Sequence, residues 1–165
     1  MIRLFSLLAV AAFALSACDS TGSSDSGGPH VYKIRPRDES RIENETIEAV
    51  NMARMNAGLS PLVRNDALTL AAERHSGDMA AQNRPWHWGS DGSSPIERAT
   101  RAGYYGTWLG ENISETFEDE VKTLNAWMGD RDSRAIIMDP AARQIGFGWY
   151  QETGGKIWWT LVTGT

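Results

Sequence analysis

The chain has 165 residues, a formal charge of −5, seven tryptophans and a single cysteine. An acidic balance with no basic stripe excludes a nucleic-acid partner held by charge, and one cysteine excludes any internal disulfide. No P-loop, HExxH, G-x-S-x-G, dinucleotide fingerprint or cysteine pair is present, so the commonest motif-borne chemistries have nothing to rest on.

In chain order, Met1-Ile2-Arg3 is a short basic start and Leu4 to Leu15 an apolar run. The run is about a dozen residues, too short to span a bilayer and suited to a signal h-region. Leu15-Ser16-Ala17-Cys18 then has the form of a bacterial lipobox, in which Cys18 is lipidated and becomes the first mature residue. The plainer alternative is an ordinary signal peptide with an incidental cysteine. The expected organisation is a signal peptide over 1–17, a lipidated cysteine with a flexible linker over 18–30, and one domain over 31–165. The linker, rich in Ser, Gly and Asp, cannot bury apolar surface. A mature chain of about 150 residues can build a core without disulfides, with its aromatic residues as the main packing material.

Val31 to Ile34 reads as a small edge strand or extended linker. Residues 40–57 read as a helix with Ile42, Ile47, Val50, Met52, Ala53 and Met55 on an imperfect apolar face, stopped by Gly58. Asn65 or Asp66 can cap a second helix reaching about Gln82, with Leu68, Ala71, Ala72, His75 and Met79 on its buried side. Ser94-Pro95 with Glu97 forms a capping box and opens a short helix ending near Ala102-Gly103. Ile113 and its neighbours suggest a strand. Phe117 to Met128 reads as a fourth helix, striped by Phe117, Val121, Leu124 and Trp127, with a turn of helix over Ser133 to Met138. Ile145 to Tyr150 and Ile157 to Val162 read as strands joined by a hairpin at Thr153-Gly154-Gly155. Helices followed by antiparallel strands predict an α+β fold.

Two segments carry the chemistry. Pro85-Trp86-His87-Trp88-Gly89 sets an imidazole between tryptophans, and Leu109-Gly110-Glu111-Asn112-Ile113 sets a carboxylate beside a glycine. His87 can bind a metal, move a proton, or serve as a hydrogen-bonded structural histidine. Glu111 can contact a ligand or lock its loop. His75 on the apolar helix face reads as a satisfied core histidine, His30 as solvated, and the acidic run Glu115 to Glu120 as a solvated helix start.

In chain order come Asn51-x-x-Arg54, Gly58-Leu59-Ser60-Pro61-Leu62, His75-Ser76-x-x-Met79, His87-x-Gly89, Glu97-Arg98, Gly110-Glu111-Asn112-Ile113, Trp127-Met128 and Ile145-Gly146-Phe147-Gly148. This ordered set resembles the bacterial branch of the CAP superfamily, also called SCP-like domains, over roughly residues 42–163. The resemblance implies a three-layer α-β-α sandwich with a small, mainly antiparallel sheet and a cavity gathering His87 and Glu111. It also implies Asp130 and Ser133 on the cavity rim, Ser133 standing where the family places a second histidine. With that imidazole gone, zinc should bind weakly and Ser133→His should strengthen it. His87 and Glu111 remain the candidate metal ligands. No cofactor is required on this reading, and a weakly bound divalent cation is compatible with it.

The leading functional expectation is a non-enzymatic module, anchored in the bacterial envelope on the periplasmic side, that binds a lipid, small ligand or envelope protein. Its partners would be the membrane, through Cys18, and that ligand, with no nucleic acid. The alternatives are a metal-dependent hydrolase of envelope peptide or peptidoglycan, and a structural envelope protein with a vestigial cavity.

Overall fold

The fold is taken from a computed structural model, which describes residues 31–165. The expected signal segment, Cys18, the linker and His30 lie outside the described residues.

After a short 3-10 turn at Pro36–Asp38, α1 runs Glu39–Asn56, and a two-residue strand β1, Val63–Arg64, leads to α2, Asp66–Gln82. Then come α3, Pro95–Arg101, β2, Trp108–Thr116, α4, Glu120–Gly129, and α5, Arg131–Ile137. Strands β3, Gln144–Gln151, and β4, Ile157–Gly164, close the chain. The sheet order is β1-β3-β4-β2, with β1 parallel to β3 and the other pairs antiparallel.

The helices sit where local chemistry starts and stops them. The Asn65 side chain accepts from Ala67 N and Leu68 N and opens α2, and Ser94 and Glu97 form the reciprocal box at α3. The fourth helix begins later than the apolar stripe suggested. Asp119 accepts from Lys122 N to cap α4, and β2 holds the chain extended to Thr116. Phe117 and Val121 are therefore exposed, while Leu124 and Trp127 are buried. On α1 the buried positions are Ile42, Thr46, Ile47, Val50 and Arg54, and Met52 and Met55 face solvent. Glu120 departs from the solvated reading of its acidic run: it is buried and accepts from Tyr32 Oη at 2.6 Å. The segment from Val31 to Ile34 is not part of a strand. It is held by Gln151, whose side chain accepts from Ile34 N and donates to the Tyr32 carbonyl.

Alternation along the strands separates two helical layers. Phe147 and Leu161 pack with α1, α4 and α5 residues in the larger core, which includes Ile42, Val50, Trp127 and Ile137. Val162 packs with Leu68, Ala72, Ala99 and Tyr104 on the α2–α3 side. The fold is thus an α+β sandwich, α2 and α3 on one face and α1, α4 and α5 on the other. Phe147 and Trp159 stack at 5.5 Å, with Trp149 tilted against both, supplying the aromatic packing expected of a core without disulfides. Helix α2 comes close to the sheet at Gly146 and Gly148. A Cβ at either would collide with α2, at Leu68 and Thr69 or at Glu73.

Candidate functional site

Glu111 lies on β2 opposite Val162 of β4, so its side chain enters the α2–α3 layer. It is almost wholly buried, with its side chain 3% exposed. A carboxylate there requires compensation. Arg98 provides it from α3: its Nη2 donates to Glu111 Oε1 at 2.9 Å and to Oε2 at 2.8 Å. The same guanidinium donates through Nη1 to the His87 carbonyl at 2.7 Å, tying the tryptophan-flanked loop to α3. His87 Nδ1 stands 2.9 Å from Glu111 Oε1, and its side chain is half-exposed. His87 and Glu111 are therefore in direct contact, with Arg98 joining them.

One more residue joins this cluster, and its neighbour on β2 does not. His75, on α2, is fully buried with Nε2 3.7 Å from Glu111 Oε1, and neither of its ring nitrogens has a hydrogen-bond partner in acceptable geometry. Burial pushes its pKa down; the Glu111 and Asp78 carboxylates and the Trp86 backbone work against this, and Arg98 adds to it. It is a core histidine, as its helix position implied, but not a satisfied one. Asn112, the next residue on β2, points the other way and donates from Nδ2 to the Ser133 carbonyl at 2.9 Å.

Asp130 and Ser133 thus lie across the sheet from Glu111. Gly110 and Asn112 face α5, where a Cβ on Gly110 would meet Ile136, and strand alternation sends Glu111 to the opposite layer. Asp130 is exposed and caps α5, accepting from Ser133 N at 2.8 Å. The Ser133 N–H and hydroxyl hold its carboxyl below the usual range. The expected rim of the cavity is instead a helix cap.

Beside the cluster, Ala71, Arg74, Asp78, Ser90, Ser93 and Arg101 line a cleft of about 270 Å3, which Arg98 and Asp91 also border. Asp78 holds the loop by accepting from Ser90 N and Oγ. Asp91 is kept well below the ordinary carboxylate range by the Ser93 hydroxyl and N–H and by Arg101. Arg74 forms no ion pair or side-chain hydrogen bond among the described residues. Arg98 is the residue that sequence reasoning left out of the site. It stood in the Glu97-Arg98 motif, one position past the capping glutamate, and a buried Glu111 needed a counterion that only a nearby basic residue could supply.

A divalent cation does not fit this arrangement well. Both Glu111 oxygens already accept from Arg98 Nη2, so a metal would have to displace a guanidinium nitrogen that bridges them. No group of three His, Cys, Asp or Glu side chains is arranged to hold a metal ion among the described residues. No described helix is long and apolar enough to cross a membrane.

Residues 47–163 match the sequence profile of the cysteine-rich secretory protein family, CAP. The uncharacterized protein YkwD of Bacillus subtilis (strain 168) is 29% identical over 123 residues, covering 74% of this chain and 47% of that protein. The chain thus spans about half the length of this curated relative. Among solved structures, an outer surface protein of Borrelia burgdorferi superposes with a TM-score of 0.67 at 14% identity, over 82% of this chain and 98% of that one. An extracellular SCP-domain protein of Bacillus anthracis gives 0.65 at 21% identity, over 79% of this chain and 44% of that one. At such identities these structures speak to the fold alone. With the sequence profile covering most of its length, this chain belongs to the CAP family of cysteine-rich secretory proteins.

Proposed function

We propose that this chain is an extracytoplasmic, membrane-tethered CAP domain that works as a binding module and not as an enzyme. The observation that carries the proposal is the state of Glu111: buried, doubly hydrogen-bonded by Arg98 and in contact with His87. A carboxylate held this way is a poor metal ligand, because both of its oxygens already accept from a permanent cation. Its role is to fix the 85–93 loop over α2 and α3, which shapes the neighbouring cleft. That cleft, with Arg74 unpaired, Arg101 and Asp91 at its rim and Ser90 and Ser93 beside them, suits a small polar ligand carrying an anionic group. The tether is the lipidated Cys18, and the extracellular and outer-surface descriptions of the structural relatives support a location outside the cytoplasm.

One observation favours the hydrolase alternative: the His87 imidazole is half-exposed with Nδ1 against a carboxylate, the geometry that orients a general base. Incubating the purified chain and its His87→Ala variant with peptidoglycan and envelope peptides separates the two readings. The binding reading expects no product above the variant. Product formation that disappears with His87→Ala would overturn it.

A further inference from the structure

The opposite end of the sheet from Glu111 carries a second, unassigned opening. Strand β1 pairs with β3 only at Gln144 and Ile145, its backbone bonds ending with Asn65 N to the Ile145 carbonyl. From there to Gln151, β3 is the outer strand of the sheet. By the period of two, the N–H and C=O groups of Phe147 and Trp149 point outward like those of Ile145. No backbone group meets them among the described residues. Exposed strand edges of this kind are templates for pairing with another chain.

This edge lies at the base of a groove of about 490 Å3. Glu39, Ser40 and Glu43 of α1 form one wall, Glu73 of α2 the other, and Phe147, Trp149 and Tyr150 the β3 side. Arg64 pairs with Glu43 at 2.6 Å, so that carboxylate is already neutralised. Glu39 and Glu73 form no ion pair among the described residues. The groove therefore combines an unpaired strand edge, an aromatic side and two uncompensated negative charges on facing helices.

We propose that this groove binds an extended, basic peptide segment of a partner protein, which adds as a strand to β3. Main-chain pairing with Phe147 and Trp149 would supply affinity that is independent of sequence. Lysine or arginine side chains on the added strand would meet Glu39 and Glu73, and their cationic ends or stems would lie against Trp149 and Tyr150. The competing role for the same carboxylates is to guard a bare edge against pairing of any kind.

The test is fluorescence anisotropy of the full chain with a labelled, capped Val-Lys-Lys-Lys-Lys-Val hexapeptide, whose consecutive lysines point alternately to the α1 and α2 walls. Controls are its valine–glutamate counterpart and a version with every second backbone nitrogen methylated. The proposal expects the lysine peptide to bind and the glutamate peptide not to. It also expects Glu39→Gln with Glu73→Gln to weaken binding about tenfold, and methylation of the pairing edge to abolish it. Ser40→Glu, which adds a carboxylate at an exposed wall position, should tighten binding, and this arm holds even if the double variant folds poorly. Failure of the lysine peptide to bind, equal binding of the methylated peptide, or indifference to Ser40→Glu would each overturn the proposal. So would concentration-dependent pairing of two copies of this chain through the same edge.

Discussion

Arg98 carries more of the site than any residue proposed for chemistry. Its guanidinium neutralises Glu111 and anchors the His87 carbonyl, so removing it strands a buried charge. Arg98→Met should destabilise the fold by about 3–5 kcal/mol, whereas Arg98→Met combined with Glu111→Gln should cost less than the two changes summed. Chemical denaturation of the four proteins of that cycle checks it. His75 gives the cluster a pH dependence. Its folded-state pKa is lowered, so the unfolded chain takes up a proton first as pH falls. Stability is then full above the unfolded histidine value of about 6.5. It declines as pH drops through that value toward the folded one. Melting temperatures measured from pH 8 to 5 should fall over the acidic half, and His75→Leu should flatten the fall. Arg54 is a third residue that hydrophobic patterning could not explain. It occupies the buried face of α1 and donates to the carbonyls of Ser60, Ile137, Asp139 and Ala142. The apolar stripe was imperfect because a guanidinium fills one of its places.

At the scale of elements, caps and punctuation were legible and long-range contacts were not. Asn65, Ser94 and Glu97 announced two helix starts within the chain itself, since capping is a local exchange of hydrogen bonds. β1 could not be read, because two residues have no periodicity and pair with a strand about eighty positions away. Gly146 and Gly148 looked like gaps in an alternating strand. Their meaning lies in α2, whose backbone fills the space that a side chain would take. Gly146→Ala should therefore cost about 1–3 kcal/mol by overpacking, against a near-neutral Gly154→Ala in the open hairpin, as read by thermal denaturation. The expected tetrad failed for a similar reason. The family resemblance implied Asp130 and Ser133 on a rim shared with Glu111, but Asn112 rather than Glu111 faces α5. Ser133→His should accordingly leave zinc affinity unchanged.

For the whole molecule, the α+β class followed from the order of helices and strands and the three-layer arrangement was implied by the family resemblance, while the partition of side chains between the two layers required the sheet register. His87 and Glu111 were identifiable because each stood in an unusual setting of glycine and tryptophan. Their partner Arg98 and the unsatisfied state of His75 depend on tertiary burial, which no local pattern encodes. The domain holds no cysteine, so its melting temperature should be indifferent to reductant, and a drop on adding dithiothreitol would contradict the packing account.

Arg98 locks Glu111 and withholds it from a metal or a substrate. Calorimetric titration of zinc into the wild-type chain and into His87→Ala tests this most directly. The lock predicts no tight binding in the wild type and no difference between the two proteins. Tight one-to-one binding that vanishes in His87→Ala would contradict it and put the hydrolase reading in its place.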